Sequence, residues 1–174
     1  MDFEEYFDPL QPYGDELATI VTLLRNDATD EDAVRLIRLM QFGLPGMYSA
    51  YRETCDGKAH PDQISALRGF LDHAMRLSSA APSRAELDVA PELCRWSPVL
   101  RDGIPILIGV AIGHPLMKWG ARATTSPYFQ INLKAGWART WSRFYLLSEY
   151  DPSFLLELQY EGAVSRNIEP IRLR

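Results

Sequence analysis

Cysteine is scarce in this chain of 174 residues, where only Cys55 and Cys94 occur, far apart. So small a supply excludes a disulfide scaffold and predicts reduced, partly buried thiols. Histidine is nearly as rare, with His60, His73 and His114, and none lies beside a nucleophile elbow. No catalytic residue is assigned on this basis. Long apolar runs are also missing: no window reaches the length of a membrane span, and neither end carries the charged run followed by an apolar stretch that a signal peptide needs. A cytoplasmic protein without a membrane partner is expected.

Two further absences bear on cofactors. Gly43-Leu44-Pro45-Gly46 lacks the lysine and hydroxyl that follow a phosphate-cradling loop, and it puts a proline where an amide is needed. Cys55, His60 and Asp62 form one loose set instead of the paired, regularly spaced ligands of a zinc site. Neither a cofactor nor a metal is expected. The densest carboxylates, Asp27, Asp30, Glu31 and Asp32, are accounted for as helix-capping groups.

What the chain does have is enough apolar content, 47% of residues, to bury a sizeable core. It also has an uneven distribution of charge. The net charge is -5, yet residues 1–60 hold twelve acids against five bases and residues 101–174 hold six against nine. Two readings stay open: the parts attract one another, or the basic part offers a surface for phosphates or an acidic partner. Overall acidity argues against strong non-specific nucleic-acid binding.

Periodicity divides the chain. Residues 1–14 read as an acidic arm docking through Phe3, Tyr6, Phe7 and Tyr13. Helical spacing then runs over 15–26, from a cap at 29–32 through Met40, and from Met47 into Arg52. The clearest helix covers 61–78, with Ile64, Leu67, Phe70, Leu71, Ala74 and Leu77 on one face. The Ser, Ala and Pro content of 78–90 marks a connection, in which Ser83 followed by Glu86 can start a short helix. The apolar β-branched run 104–112, stopped by Gly113-His114-Pro115, predicts a buried strand. Residues 121–133, with a break at Pro127, and 137–147 predict two more, and Asp151-Pro152-Ser153 opens a terminal helix that Gly162 stops. The expectation is an α+β protein: a helical part over 1–80 packed, through a connection over 81–99, on a small antiparallel sheet with a terminal helix over 100–174.

The most informative stretch is Trp137-Ala138-Arg139-Thr140-Trp141-Ser142-Arg143-Phe144-Tyr145. As one strand it sets Trp137, Arg139, Trp141, Arg143 and Tyr145 in a single row alternating rings with guanidinium groups. Two hairpin registers are open. A three-residue loop pairs Leu133 with Trp137 and makes Trp137 and Trp141 core, whereas a four-residue loop pairs Leu133 with Ala138 and brings Trp141, Arg143 and Tyr145 out beside Tyr128 and Gln130. A helix is a third option, with Arg139 and Arg143 one turn apart.

Gly113-His114-Pro115, Thr125-Ser126, Gly136-Trp137-Ala138-Arg139-Thr140, Ser142-Arg143 and Tyr145 together resemble the C-terminal signature of a bacterial family of small uncharacterised proteins. Where sequences of that signature continue with a basic residue and a glycine after the tyrosine, this chain has Leu146-Leu147-Ser148. The resemblance implies no activity and no catalytic residues.

The function expected from all this is non-enzymatic: a protein-binding adaptor, or an accessory or inhibitory factor, acting through its C-terminal β part. Tyr128, Arg139, Arg143 and Tyr145 are the expected contact surface, with His114 at its rim and Trp137 and Trp141 anchoring or underlying it. Nucleic-acid binding through the same basic, aromatic part is the alternative from another class. A hydrolase using His114, with Thr125 or Ser126 nearby, is a third reading.

Overall fold

In the computed structural model, residues 40–41 and 45–173 are described. The expected arm at 1–14 and the helices expected before Met40 lie outside them. The chain divides into two compact units, Met1–Arg76 and Leu77–Arg174. In the first, α1 (Pro45–Cys55) and most of α2 (Pro61–Ser79) are helical. Pro61 occupies the first position of α2, where a missing N–H leaves nothing unpaired, and the His60 carbonyl accepts from the amides of Gln63 and Ile64. Leu67, Phe70, Leu71, Ala74 and Leu77 are buried at the predicted spacing.

The second unit opens with the short helix α3 (Arg84–Asp88). Its capping box is the predicted one: the Ser83 hydroxyl accepts from the Glu86 amide at 3.3 Å, and the Glu86 carboxylate accepts from the Ser83 amide at 2.8 Å. The strands among the described residues follow: β1 (Glu92–Arg101), β2 (Ile104–Ile112), β3 (Ala121–Thr124), β4 (Tyr128–Asn132), β5 (Trp137–Thr140), β6 (Phe144–Leu147) and, after helix α4 (Phe154–Tyr160), the short β7 (Glu169–Pro170). The path is β3-β2-β1-β6-β5-β4, with β7 on β1. These strands pair antiparallel except for β1 with β6, which run parallel through Glu92↔Leu146 and Leu93↔Leu147. The sheet is therefore mixed, in contrast to the antiparallel one expected.

The expected connection over 81–99 is shorter than that span, because residues 92–99 belong to β1. The β1–β2 hairpin turns on Asp102 and Gly103 with φ of 54° and 76°, the pair of positive values that a primed two-residue turn requires. Pro98 is tolerated inside β1 because, on the edge that β7 joins through Val99 and Leu100, it contributes its carbonyl, which accepts from the Ile171 amide at 3.0 Å. A bulge between Cys94 and Ser97 places Arg95 at φ 47° and aims its side chain at α4. There it bonds Asp151 Oδ2 from Nε at 3.0 Å and Glu157 Oε2 from Nη2 at 2.6 Å, over the ring of Phe154.

The sheet is strongly coiled. β3 and β4 end the path on opposite sides, five strand spacings apart, or roughly 24 Å in a flat sheet. The link through Thr125, Ser126 and Pro127 reaches only about 14 Å at full extension, so the sheet has to curl until its ends approach. Two cores result. Leu93, Trp96, Leu107, Ala111, Ala123, Ala138 and Tyr145 form one. Val99, Ile106, Ile108, Phe154, Leu155, Leu158 and Ile168 form the other, under α4. Between them β2 crosses β1 so closely that a Cβ at Gly109 would stand 2.7 Å from Leu93 Cγ and 2.9 Å from the Cys94 carbonyl oxygen.

Candidate functional site

The stretch expected as one strand, 137–147, is two. Thr140 donates its amide to the Arg143 carbonyl at 2.9 Å and its hydroxyl to the same oxygen at 3.0 Å, while the Arg143 amide donates back to that hydroxyl at 3.2 Å. The chain thus reverses over Trp141 and Ser142, and Arg139 pairs with Phe144 while Ala138 pairs with Tyr145. This reversal breaks the alternating row. Tyr145 faces the side of Ala138, opposite Arg139. The β4–β5 hairpin takes neither of the two expected registers. It pairs Asn132 with Trp137 and Ile131 with Ala138, and Leu133 lies in the loop with Gly136 at φ 69°.

Of the seven expected contact residues, three are sealed in. Trp137 is 7% exposed and packs edge-on against Phe144 at 5.6 Å; Trp141 is 6% exposed and lies on Phe129 at 5.7 Å; Tyr145 is 5% exposed. The two tryptophans underlie the surface, and Tyr145 does not present one. Burial raises the Tyr145 phenol above its ordinary pKa. Tyr128 is half-buried against the first core and pairs with Thr140, away from the cleft described next.

The tight turn does bring Arg139 and Arg143 together. They line a cleft of about 340 Å³ with Ser142 and Phe144 from the β5–β6 hairpin, Gly113 and Pro115 from the end of β2, and Glu86, Val89, Ala90 and Pro91 from α3 and the segment after it. The Arg139 guanidinium lies 4.7 Å from the centre of the Phe144 ring, a cation–π contact that fixes its plane. Nε of Arg143 is buried and makes no hydrogen bond among the described residues. The Ser142 hydroxyl belongs to a chain of hydroxyls, 3.0 Å from Ser126 Oγ and 3.3 Å from Thr140 Oγ1. Glu86 supplies the carboxylate among the described residues of the lining, and its capping bonds from Ser83 hold it below the ordinary carboxylate pKa, with Arg139 adding to the effect.

His114 stands between the two cleft residues Gly113 and Pro115, half-buried and stacked on Tyr145 with ring centres 6.2 Å apart. Burial first, and Arg143 second, push its pKa below the ordinary value, so the ring is neutral at pH 7. Its Nδ1 accepts from the Leu116 amide at 3.1 Å, which leaves Nε2 as the N–H. A neutral imidazole in that tautomer has no acceptor nitrogen left for a serine proton. The partner of Nδ1 is thus a backbone amide.

Elsewhere, His60 Nδ1 sits 3.3 Å from the Asp62 amide at the start of α2. Among the described residues no group of three His, Cys, Asp or Glu is placed to hold a metal ion, and no helix is long and apolar enough to cross a membrane. The sequence alone does not point to Glu86, Pro91, Pro115 and Phe144 as cleft residues. Only Pro115 carries a usable signal, as the end of the turn that stops β2.

No curated protein and no solved structure matches the chain. Residues 63–162 match the model of a family of unknown function, DUF6634, and every residue lining the cleft falls inside that span. The chain belongs to this DUF6634 family of unknown function.

Proposed function

We propose that this is a non-enzymatic, cytoplasmic protein-binding adaptor that engages a partner protein through the arginine-lined cleft of its C-terminal unit. The observation that carries the reading is the composition of that cleft: two partly buried guanidinium groups with Val89, Pro91, Pro115 and Phe144 as apolar walls. Arginine and aromatic side chains are the types enriched at the energetic centres of protein interfaces. Leu116 and Trp119, in the turn that follows Pro115, are 84% and 77% exposed. An accessory or inhibitory role is the finer form of the same proposal.

The nucleic-acid reading draws less support, because Trp137, Trp141 and Tyr145 are buried and leave that row no ring faces for bases. The hydrolase reading draws none from His114, whose Nδ1 is occupied. A photo-crosslinking residue at Pro115, introduced in the native host, tests the proposal against a control at Tyr160, which is 93% exposed on α4. A discrete protein adduct at Pro115 that is lost when Arg139 and Arg143 are both changed to Ala is the expected result. Equal adducts at both positions, or an adduct to oligonucleotides that dissolves with salt, would contradict it.

A further inference from the structure

The turn between β2 and β3 is tied by one imidazole nitrogen. Residues 113–120 are bounded by Gly113 and Gly120, both at positive φ, 71° and 74°, so the chain leaves and re-enters the sheet through two glycines. Inside the turn the His114 carbonyl accepts from the Met117 amide at a long 3.4 Å. The Leu116 amide has a single hydrogen bond among the described residues, the one to His114 Nδ1 at 3.1 Å. That nitrogen takes the place of an Asn oxygen, which closes the same kind of turn by accepting from the amide two residues on. Unlike the oxygen, it can be protonated. An imidazolium is a donor at both nitrogens, so in that state Nδ1 and the Leu116 amide present protons to each other and the bond is lost.

The surroundings favour release over a compensating contact. Facing the ring are the Arg143 guanidinium and the Tyr145 phenol, the latter stacked on it at 6.2 Å, both from the β5–β6 hairpin. Among the described residues no carboxylate pairs with the ring. Leu116 is 84% exposed, so water can take over its amide once the bond is gone. Gly113 and Pro115, on either side of His114, line the cleft.

We propose that His114 is a protonation latch: while neutral, its Nδ1 holds the Leu116 amide and keeps the 113–120 turn closed, and on protonation that nitrogen becomes a donor and frees the turn, with Pro115, from the wall of the cleft. The latch is closed at pH 7 and opens in acid, below the ordinary histidine midpoint of about 6.5, because burial and Arg143 both oppose the charged ring. The latch itself stands on the hydrogen bond; its control of the cleft rests on the protein-binding reading.

The test follows the full chain by NMR from about pH 7.5 to about pH 4.5, reading the His114 ring and the Leu116 amide in one titration. Amide protection is scaled to the unfolded-chain exchange rate at each pH. In the parent chain the protection of Leu116 should fall roughly tenfold through the ring's own midpoint, the scale of one hydrogen bond. His114→Asn keeps an acceptor that does not titrate in this range, so Leu116 should stay protected throughout. His114→Ala has none, and protection should be low throughout. Protection that is the same on both sides of the ring's midpoint, or that His114→Asn loses as fully as His114→Ala, would overturn the latch. The photo-crosslinker at Pro115, used in a native-host extract at the two ends of the same pH range, then reads the wall. Its adduct should weaken several-fold in acid and persist when His114→Asn is added; an adduct of equal strength at both pH values without that change would overturn the control of the cleft. If no adduct forms at either pH, the adaptor reading falls, and the Leu116 protection still decides the latch.

Discussion

Arg95 and Arg143 show two ways for one sheet to hold a guanidinium. Arg95 is aimed by a bulge at two carboxylates, Asp151 and Glu157, and rests on Phe154, so its charge is answered within the fold. Those bonds raise its pKa further above an already high value. Arg143 comes out of a tight turn into a cleft, and its Nε has no hydrogen-bond partner among the described residues. The first arrangement ties β1 to α4. The second leaves Arg143 without an ion pair among the described residues. The difference separates an arginine paired with carboxylates inside the fold from one that lines a cleft, a distinction that charge counting along the chain does not make.

The largest expected effects lie at the Arg95 end. Phe154→Ala removes the ring beneath Arg95 and opens the second core, and about 3–5 kcal/mol of stability should be lost in urea unfolding. A loss under about 1 kcal/mol would mean that α4 is not a structural lid for Arg95. Gly109→Ala forces a methyl against Leu93 and the Cys94 carbonyl, beside the bulge that positions Arg95, and should cost roughly 1–3 kcal/mol by thermal melting.

Charge removal at either arginine gives smaller changes that still tell the two apart. Hydrogen bonds from Arg95 hold the Glu157 carboxyl below its ordinary pKa, and the Ser153 hydroxyl, followed by Arg95, does the same for Asp151. Depressed carboxylate values mean stability that is present above the unfolded-state pKa, about 4, and lost as pH falls through the lower folded values. Arg95→Gln should therefore lower the melting temperature at pH 7 and flatten its fall below about pH 4. Arg143→Gln should change stability by no more than about 0.5 kcal/mol, since its guanidinium forms no ion pair within the cleft wall. The same variant should raise the His114 midpoint, followed by NMR, only part of the way to its ordinary value, because burial is the larger cause. With a depressed histidine, the associated stability is present above the unfolded pKa of about 6.5 and is lost as pH falls through the folded one. A His114 midpoint at or above the ordinary value would contradict its placement.

Much of the fold is legible in local chemistry. The span of β2, the Ser83 and Glu86 capping box, the break at Pro127 and the buried face of α2 all follow from side chains a few positions apart. β1 escapes a local reading although Asp102-Gly103 is a strong hairpin signal, because Pro98 and the preceding Ser, Ala and Pro residues look like a connection. The turn at Trp141 and Ser142 has no glycine, proline or asparagine to announce it and is held by the Thr140 hydroxyl. The parallel pairing of β1 with β6 joins residues more than fifty positions apart, which no local pattern encodes. Arg139 and Arg143 stand out in the sequence through an alternating row that does not exist; what unites them is the reversal between them. The same reversal moves Tyr145 to the opposite face. Glu86 and Pro91 enter the cleft only through tertiary packing.

Adding acetate to the full chain while following the side-chain Nε–H resonances of Arg95 and Arg143 sets the two arginines against each other in one sample. The Arg143 signal should shift and saturate, with Arg95 unmoved because Asp151 and Glu157 already occupy it. Parallel drifts of both signals, or a silent Arg143, would show that the two arginines are held alike.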